Sequence, residues 1–407
     1  MNQRKRGNPH PQHTQMNKPK VSIVRAHDYD YAEIWAAMEQ GIELIGGLAG
    51  IVPPGSTVFV KINHLSPPSP AEKGIVTHPA FVEVVLDLLK AVAADITVGD
   101  DIQSGSGDGF QVSGFRQMCQ RVGVRLINLR EAGFVETACR GHFLEKVYLS
   151  KIALDADVIV NLPKLKTHSL CVFTGGVKNM YGTIPTGLRR KFHGEYIRNE
   201  DFSQVVTDIF SAIRPQLTIM DGIIAMEGEG PAAGSLRRLG VILTSQDAVA
   251  VDAVAAKIIG LNPVDIYTTR YSDERGLGVG NLQNIEVVGE KIDSVTLPDF
   301  KPPASAVNAL ARRVPLFLPR FILRQISIKP NVIERLCTGC AECQKICPAG
   351  AISVSSEMAK ITHDICIECM CCHEVCRFDA IVPKQSTSGR IIQFLVNTLR
   401  KLKATAG

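Results

Sequence analysis

Short apolar runs alternate with longer amphipathic segments along most of this chain. The runs are rich in β-branched residues, which predicts buried strands. They lie at 21–25, 57–63, 96–100, 124–129, 157–163, 217–221, 240–244 and 285–288. Apolar residues with helical spacing predict helices at 32–48, 79–93, 110–122 and 248–259. Strands separated by helices predict an α/β fold with a mostly parallel sheet.

The same pattern divides the chain into five parts. Residues 1–20 are polar and basic and predict a disordered tail, and 21–299 form the α/β domain. Residues 300–328 are punctuated by proline and predict a linker. A small cysteine-rich domain follows at 329–384, and 385–407 predict a basic amphipathic helix.

Composition and charge exclude several classes of protein. The chain has 407 residues, 45% of them hydrophobic, which allows one large core and a small second domain. The net charge of +5 is carried by the two ends, so the folded body offers no basic surface for nucleic acid. The basic N-terminal tail lacks the apolar core of a secretory signal. No apolar run is long enough for a membrane-spanning helix.

Eight of the 12 cysteines form two runs with the same spacing, the second 29 residues after the first. The runs are Cys337, Cys340, Cys343 and Cys347, followed by Cys366, Cys369, Cys372 and Cys376. A [4Fe–4S] cluster needs four thiolates, and a tight run of this kind places three of them. Structural zinc is the alternative for paired cysteines, but it has no need of a third and fourth ligand at this spacing. The spacing therefore favours iron–sulfur clusters.

This region resembles the bacterial-type ferredoxin domain with two [4Fe–4S] clusters. The resemblance covers about 329–384, where the apolar pair Ala351–Ile352 recurs as Ala380–Ile381. It departs from the family at Arg377, where a second proline is usual. The resemblance implies that the fourth ligand of each cluster comes from the other run. The two sets are then Cys337, Cys340, Cys343 with Cys376, and Cys366, Cys369, Cys372 with Cys347.

Two further observations concern the cysteines. Cys371 breaks the spacing of the second run, so we expect it not to be a ligand. Cys119, Cys139 and Cys171 are scattered singly and show no spacing typical of disulfides. Thiols together with oxygen-sensitive clusters predict a reducing, cytoplasmic location.

Polar groups follow several predicted strands of the larger domain. Lys61 and Asn63 end one strand, Asp100 ends the next, the stretch 164–168 follows a third, and Asp221 ends a fourth. Ligands collect at the carboxyl ends of strands in open α/β sheets. These groups therefore predict a binding site at that edge.

The motifs of this domain resemble the family named domain of unknown function 362. They are Lys61 with Asn63, Thr77–Pro79, Asn161–His168, Gly175–Gly182, Met220–Ile223, Glu227–Pro231 and Val251–Val254. The resemblance covers about 21–292. It implies an α/β fold that is sometimes fused to a ferredoxin domain, and it implies no reaction.

The candidate site residues follow from their charge and position. Lys164, Lys166 and Lys178, with Lys61 and the basic run at 189–191, could bind an anionic substrate. We expect His168 and Asp221 to act with them, and His193 or Asp100 are alternatives as general acid or base. The opposing interpretation is that the lysines are solvated and the histidines are satisfied surface groups. The loop 227–231 predicts a metal site or an ordinary turn. Neither a P-loop nor a dinucleotide fingerprint is present.

These observations predict an iron–sulfur electron-transfer protein. The leading hypothesis is a ferredoxin-coupled oxidoreductase that acts on a small anionic substrate held in the α/β domain. The alternatives are an electron carrier or sensor without enzymatic activity, and clusters with a structural role. Expected partners are a redox protein and the substrate, with no nucleic acid. The segment 388–407 could also contact an anionic membrane surface, or it could dock on its own protein.

Overall fold

The computed structural model describes most of the two predicted domains. It covers residues 18–65, 68–102, 108–139, 141–196, 198–303, 328–347, 349–366, 371–376, 378 and 380–385. The predicted tail up to residue 17, the linker from 304 to 327 and the predicted helix from 386 onward lie outside the described residues. Those three predictions therefore remain predictions. Among the described helices, none combines the length and the apolar character needed to cross a membrane.

The larger domain is built on one twisted sheet. Its strands are β1 (Lys20–Arg25), β2 (Thr57–Ile62), β3 (Asp95–Asp100), β4 (Arg125–Asn128), β7 (Val158–Leu162), β8 (Lys164–His168), β9 (Val172–Thr174), β10 (Leu217–Glu227), β11 (Ser235–Ser245) and β12 (Glu286–Gly289). Two further strands, β5 (Phe134–Ala138) and β6 (Lys146–Ser150), form a separate hairpin. The order is β12-β1-β11-β10-β7-β2-β3-β4, and β8 pairs with β10 and β9. From β10 to β4 every neighbouring pair is parallel.

Helices cover both faces of this sheet. They are α1 (Tyr31–Leu44), α2 (Pro79–Lys90), α3 (Gly109–Val112), α4 (Phe115–Val122), α5 (Leu129–Ala132), α6 (Lys151–Asp155), α7 (Gly176–Asn179), α8 (Thr186–Glu195), α9 (Asn199–Ala212), α10 (Ala248–Ile258), α11 (Tyr267–Glu274) and α12 (Ile292–Val295). Side chains of a strand alternate between faces. In β2, Val58 and Val60 pack in the core under α1 and α2, and Phe59 packs in the core under α9. The structure confirms the predicted α/β fold.

Most predicted elements of the larger domain are confirmed, with three differences. The predicted helix at 110–122 is two helices, because Gly114 between them adopts a left-handed backbone conformation with φ of 83°. The predicted strands at 217–221 and 240–244 belong to the longer antiparallel pair β10 and β11. The stretch 164–168, expected as a polar segment after a strand, is itself the fully buried strand β8.

The C-terminal part repeats one supersecondary unit. The first unit holds β13 (Ile328–Val332), α13 (Glu342–Ile346) and β14 (Ile352–Ser355), and the second holds β15 (Met358–Ile361), α14 (Cys371–Glu374) and β16 (Ile381–Gln385). The outer strands β13 and β16 pair antiparallel, and so do β14 and β15. Each half thus has the order strand, loop, helix and strand.

Candidate functional site: a cationic cavity beside the cysteine runs

Four cysteines from the two runs come together in the C-terminal part. Cys337, Cys340, Cys343 and Cys376 line one small cavity. Burial, and then the neighbouring thiolates, raises the pKa of Cys343 to about 11. Crowded thiolates of this kind are stabilised when they bind a metal centre, which holds them deprotonated. The donor set therefore fits a [4Fe–4S] cluster, with the fourth ligand drawn from the second run.

Backbone amides point at three cysteine sulfurs. The N–H of Ala359 donates to Cys337 Sγ at 3.4 Å. The N–H groups of Ala351 and Ala380 donate to the sulfurs of Cys347 and Cys376, each at 3.2 Å. The last two bonds occupy equivalent positions in the repeat. Such bonds stabilise negative sulfur and tune the reduction potential of a bound cluster.

The other predicted ligand set is only partly described. Cys372 is buried and Cys347 and Cys366 are half-buried. Cys369 and the side chain of Cys371 lie outside the described residues. The second ligand set stays a prediction.

A second cavity, of about 120 Å³, lies at the carboxyl ends of β2 and β3. Five basic side chains contribute to its wall, namely Lys61, Lys166, Lys178, Arg189 and Arg190. We call it the cationic cavity. The concentration of positive charge favours an anionic ligand.

A buried ion pair forms one wall of the cationic cavity. Lys61 Nζ lies 2.8 Å from Asp100 Oδ2, and both side chains are almost completely buried. Burial lowers the pKa of Lys61 and raises that of Asp100, while each partner opposes the shift of the other. The wall is tight at Gly182, where an added Cβ would lie 2.7 Å from Lys61 Nζ. The glycine therefore allows the backbone to approach this pair closely.

Lys166 and Lys178 reach the cavity from two different elements. Lys166, on β8, donates to the carbonyl oxygen of Ile75. Lys178, on the short helix α7, lies 4.2 Å from the centre of the Tyr181 ring. A carbonyl oxygen and the face of an aromatic ring both attract a cation and hold it in position. Both predicted residues thus lie where an anion could bind.

Three histidines in the wall are neutral. Burial, with smaller contributions from nearby lysines, lowers the pKa of His64 and His193 to about 3. The same causes lower the pKa of His168 well below its ordinary value. His168 Nδ1 accepts N–H bonds from Leu170 and Cys171, so its proton is on Nε2. His193 has the opposite tautomer, because its Nδ1 donates to the carbonyl of Arg189 at 2.7 Å.

Lys164 and Asp221 form a separate buried cluster. Lys164 Nζ donates to Asp221 Oδ2 at 2.8 Å and to the Tyr29 hydroxyl at 2.6 Å. The Tyr29 hydroxyl donates to the other oxygen of Asp221 at 2.9 Å. Neither Lys164 nor Asp221 is among the described residues that line the cationic cavity. The structure therefore places Lys166 and His168 in the wall of the cationic cavity and Lys164 beside Asp221.

The cationic cavity lies between the two domains. Ile346 and Val375, which directly precede Cys347 and Cys376, form part of its wall. Arg190 donates to the carbonyl of Lys345 at 2.9 Å. The prediction from sequence missed both apolar residues. The sequence offered one signal for them, because each directly precedes the last cysteine of its run.

The loop 227–231 contacts the C-terminal domain beside the cationic cavity. The ring of His373 lies between two carbonyl oxygens, with Nε2 3.1 Å from that of Glu229 and Nδ1 2.8 Å from that of Ile381. Glu227 Oε2 accepts the N–H of Lys301 at 3.1 Å, and Pro231 reaches the cationic cavity. Among the described residues, Glu227 and Glu229 belong to no group of three or more His, Cys, Asp or Glu side chains that could hold a single metal ion, so a metal site in this loop stays a prediction.

Comparison with known proteins assigns both domains. A family model described as Domain of unknown function (DUF362) matches residues 58–257, and one described as a 4Fe-4S binding domain matches residues 330–353. A thylakoid-associated protein of Synechocystis sp. is 32% identical over 259 residues, which is 63% of this chain and 79% of that protein. The match to the 4Fe-4S binding domain supports at least one iron–sulfur cluster and thus an electron-transfer protein.

Other similarities are more limited. One component of an ion-translocating oxidoreductase complex of Methanosarcina acetivorans is 44% identical over 50 residues, 12% of this chain and 19% of that protein. The solved lactate racemase apoprotein of Thermoanaerobacterium thermosaccharolyticum gives a TM-score of 0.39 at 10% identity, over 59% of this chain and 57% of that one. This chain thus spans little more than half of that solved structure, and a TM-score of this size carries no conclusion about function.

Proposed function

Because this chain belongs to the family described as Domain of unknown function (DUF362), whose description assigns no activity, we propose a function from its own geometry. The chain is an oxidoreductase that exchanges electrons, by way of [4Fe–4S] clusters, with a small anionic ligand in the cationic cavity. A redox protein supplies or removes the electrons. The alternative is an electron carrier or sensor in which the same cavity has no catalytic role.

The proposal includes two clusters. Cys337, Cys340, Cys343 and Cys376 are the ligands of one, and their common cavity supports this set. Cys366, Cys369, Cys372 and Cys347 are the ligands of the other. The identical spacing of the two runs and the equivalent amide bonds to Cys347 and Cys376 support a second site like the first.

One observation carries the proposal: the cationic cavity is lined by residues adjacent to ligands of both proposed clusters. Ile346 is bonded in sequence to Cys347, and Val375 to Cys376. A ligand in the cavity would therefore contact protein that is one residue from each cluster.

The remaining wall supplies charged and hydrogen-bonding groups that can contact the ligand. Lys166 and Lys178 hold the negative charge of the ligand, and the Nε2–H of His168 can donate to it. His193 also lines the cavity, and its unprotonated Nε2 can accept a hydrogen bond from the ligand.

The test measures oxidation of the clusters by added anions under an atmosphere free of oxygen. Protein reduced with dithionite is freed of excess reductant and mixed with a panel of small carboxylates that carry a reducible group, such as 2-oxo acids. Inorganic phosphate serves as an anion that cannot be reduced, and the visible absorbance of the clusters is recorded. At least one anion should oxidise the wild-type protein. Lys166→Met and Lys178→Met should each slow this oxidation at unchanged iron content, by about tenfold or more if each lysine makes a charged hydrogen bond.

Two control variants make the result specific. Lys164→Met removes a lysine that is equally buried but lies outside the cationic cavity, and Lys191→Met removes an exposed one. Neither should slow oxidation in folded protein. If no anion oxidises the clusters, the alternative of an electron carrier replaces the enzyme.

We also propose that residues 388–407 contact an anionic membrane surface. The basic and apolar pattern of this segment supports the idea, as does similarity to a protein named as thylakoid-associated. The protein should cosediment with vesicles that contain anionic lipid, and less so after deletion of 388–407. Equal cosedimentation of the truncated protein would remove this proposal.

A further inference from the structure

Three buried asparagines form a chain of hydrogen bonds that ends at the cationic cavity. Asn161 Nδ2 donates to the carbonyl oxygen of Gly176 at 3.0 Å. Asn179 Nδ2 donates to Asn161 Oδ1 at 2.8 Å, and Asn63 Nδ2 donates to Asn179 Oδ1 at 2.9 Å. All three side chains are buried. The chain thus runs from the backbone of α7 to the wall of the cavity.

The direction of these bonds is set at the Gly176 end. A carbonyl oxygen only accepts, so Asn161 must turn its amide nitrogen toward Gly176 and its oxygen toward Asn179. Asn179 must then turn its oxygen toward Asn63. Rotating any one amide by half a turn would set donor against donor or acceptor against acceptor. Asn63 consequently keeps its oxygen, together with the second N–H of its amide, for other partners.

That oxygen has no partner within the described part of the chain. Asn63 Oδ1 and Thr174 Oγ1 are both buried and both lack a hydrogen bond there. Both residues line the cationic cavity, and their side chains are 9% and 3% exposed. A buried acceptor without a donor costs about 1–3 kcal/mol, which a suitable ligand recovers on binding.

We infer that the cationic cavity selects a short carboxylate that also carries a hydroxyl group. This inference rests on the proposed anion site and adds the ligand class. The carboxylate faces Lys166 and Lys178, and the hydroxyl donates to Asn63 Oδ1. An ammonium group could also donate to Asn63, but the two lysines would repel its positive charge. A hydroxyl donates without charge, so the hydroxy acid fits better than the amino acid.

The size of the cavity agrees with a short ligand. Its volume is about 120 Å³, close to the roughly 150 Å³ of an engineered cavity that holds one benzene molecule. A ligand of about six non-hydrogen atoms would fill it.

Three probes of nearly equal size test the inference. Acetate, glycolate and glycine share a carboxylate and differ by a hydrogen, a hydroxyl and an ammonium group. Binding to the anoxic, cluster-loaded protein is measured by calorimetry. Glycolate should bind about tenfold to a hundredfold more tightly than acetate, since acetate has no donor for Asn63. Glycine should bind most weakly, because the lysines repel its ammonium group.

Variants then identify the residues responsible for the preference for glycolate over acetate. Asn63→Leu should bring the affinities for glycolate and acetate to within about twofold. Thr174→Val provides a second, nearly isosteric change on the same wall and should reduce the preference for glycolate. Lys178→Met should weaken both anions by a similar factor. Thermal unfolding and iron content are compared so that misfolded variants are recognised.

The outcomes separate this inference from the proposed function. Equal binding of acetate and glycolate to the wild-type protein, with both weakened by Lys178→Met, would overturn the inference and leave the anion site intact. A preference for glycolate that survives in Asn63→Leu would also overturn it. Absence of binding by all three probes would overturn the inference and count against the anion site as well.

Discussion

Lys164 Nζ lies 2.8 Å from Asp221 Oδ2, and this pair is buried away from the cationic cavity that contains its strand neighbour Lys166. Burial lowers the pKa of Lys164, and the carboxylate of Asp221 opposes that change. Tyr29 completes the cluster through hydrogen bonds to both residues. Two lysines of one short strand thus have different surroundings.

The first prediction separates these surroundings. Lys164→Met should lower the free energy of unfolding by about 3–5 kcal/mol, because the carboxylate of Asp221 is left buried without its cation. Chemical denaturation of the anoxic protein measures this. Anion binding in the folded fraction should be unchanged. An unchanged stability would mean that the pair makes no net contribution to the fold.

The second prediction concerns Gly182. An added Cβ would lie 2.7 Å from Lys61 Nζ and 2.9 Å from Asp100 Oδ1, so Gly182→Ala should displace the ion pair and cost about 1–3 kcal/mol. Anion affinity should fall as well. Gly187→Ala is the matched control, since nothing lies within 4 Å of its added Cβ, and within helix α8 it should be neutral or stabilising. Equal effects of the two variants would show that the close approach at Gly182 is unimportant.

The third prediction is a pH dependence at Asp252. This buried carboxyl accepts the N–H bonds of Gly176 and Val177, and burial raises its pKa from 3.8 to about 7. At pH values between these two pKa values, the carboxyl group of Asp252 is therefore protonated in the folded protein and ionised in the unfolded chain. Its stabilising contribution is complete below about pH 4 and is lost as the pH rises to about 7, at roughly 1.4 kcal/mol per unit.

Comparison with Asp252→Asn isolates this effect. The stability of the wild-type protein relative to the variant should be greater at pH 5.5 than at pH 7 by about 2 kcal/mol. Denaturation curves at the two pH values give the difference. A difference that does not change with pH would place the pKa of Asp252 near its ordinary value.

The fourth prediction tests the cluster ligands. Anoxically reconstituted protein should contain about eight iron and eight sulfide per chain, as two clusters require. Cys343→Ser and Cys347→Ser should each perturb one cluster, and Cys371→Ser should leave both intact. Iron analysis and electron paramagnetic resonance of the reduced protein measure this. Zinc as the main metal, or loss of a cluster in Cys371→Ser alone, would contradict the assignment.

Much of the fold followed from local patterns. The apolar runs predicted the parallel strands, because a strand buried on both faces must be apolar along its length. The spacing of the cysteines predicted iron–sulfur ligation, since a tight loop can present thiolates to a cluster only at certain intervals. The lysines and histidine at 164–168 predicted a site at one edge of the sheet, and two of them, Lys166 and His168, line the cationic cavity. These features need only the residues within one segment.

Tertiary structure decided the surroundings of each polar group. Lys164 contacts Asp221 and Tyr29, which are distant in sequence, and no local pattern identifies such partners. The neutrality of His168 and His193 depends on burial by several elements. The wall formed by Ile346 and Val375 depends on how the two domains pack. Sequence determined which chemical groups this protein carries and on which strands they lie. Long-range packing decided which of them share a cavity, because partners and burial depend on the whole folded chain.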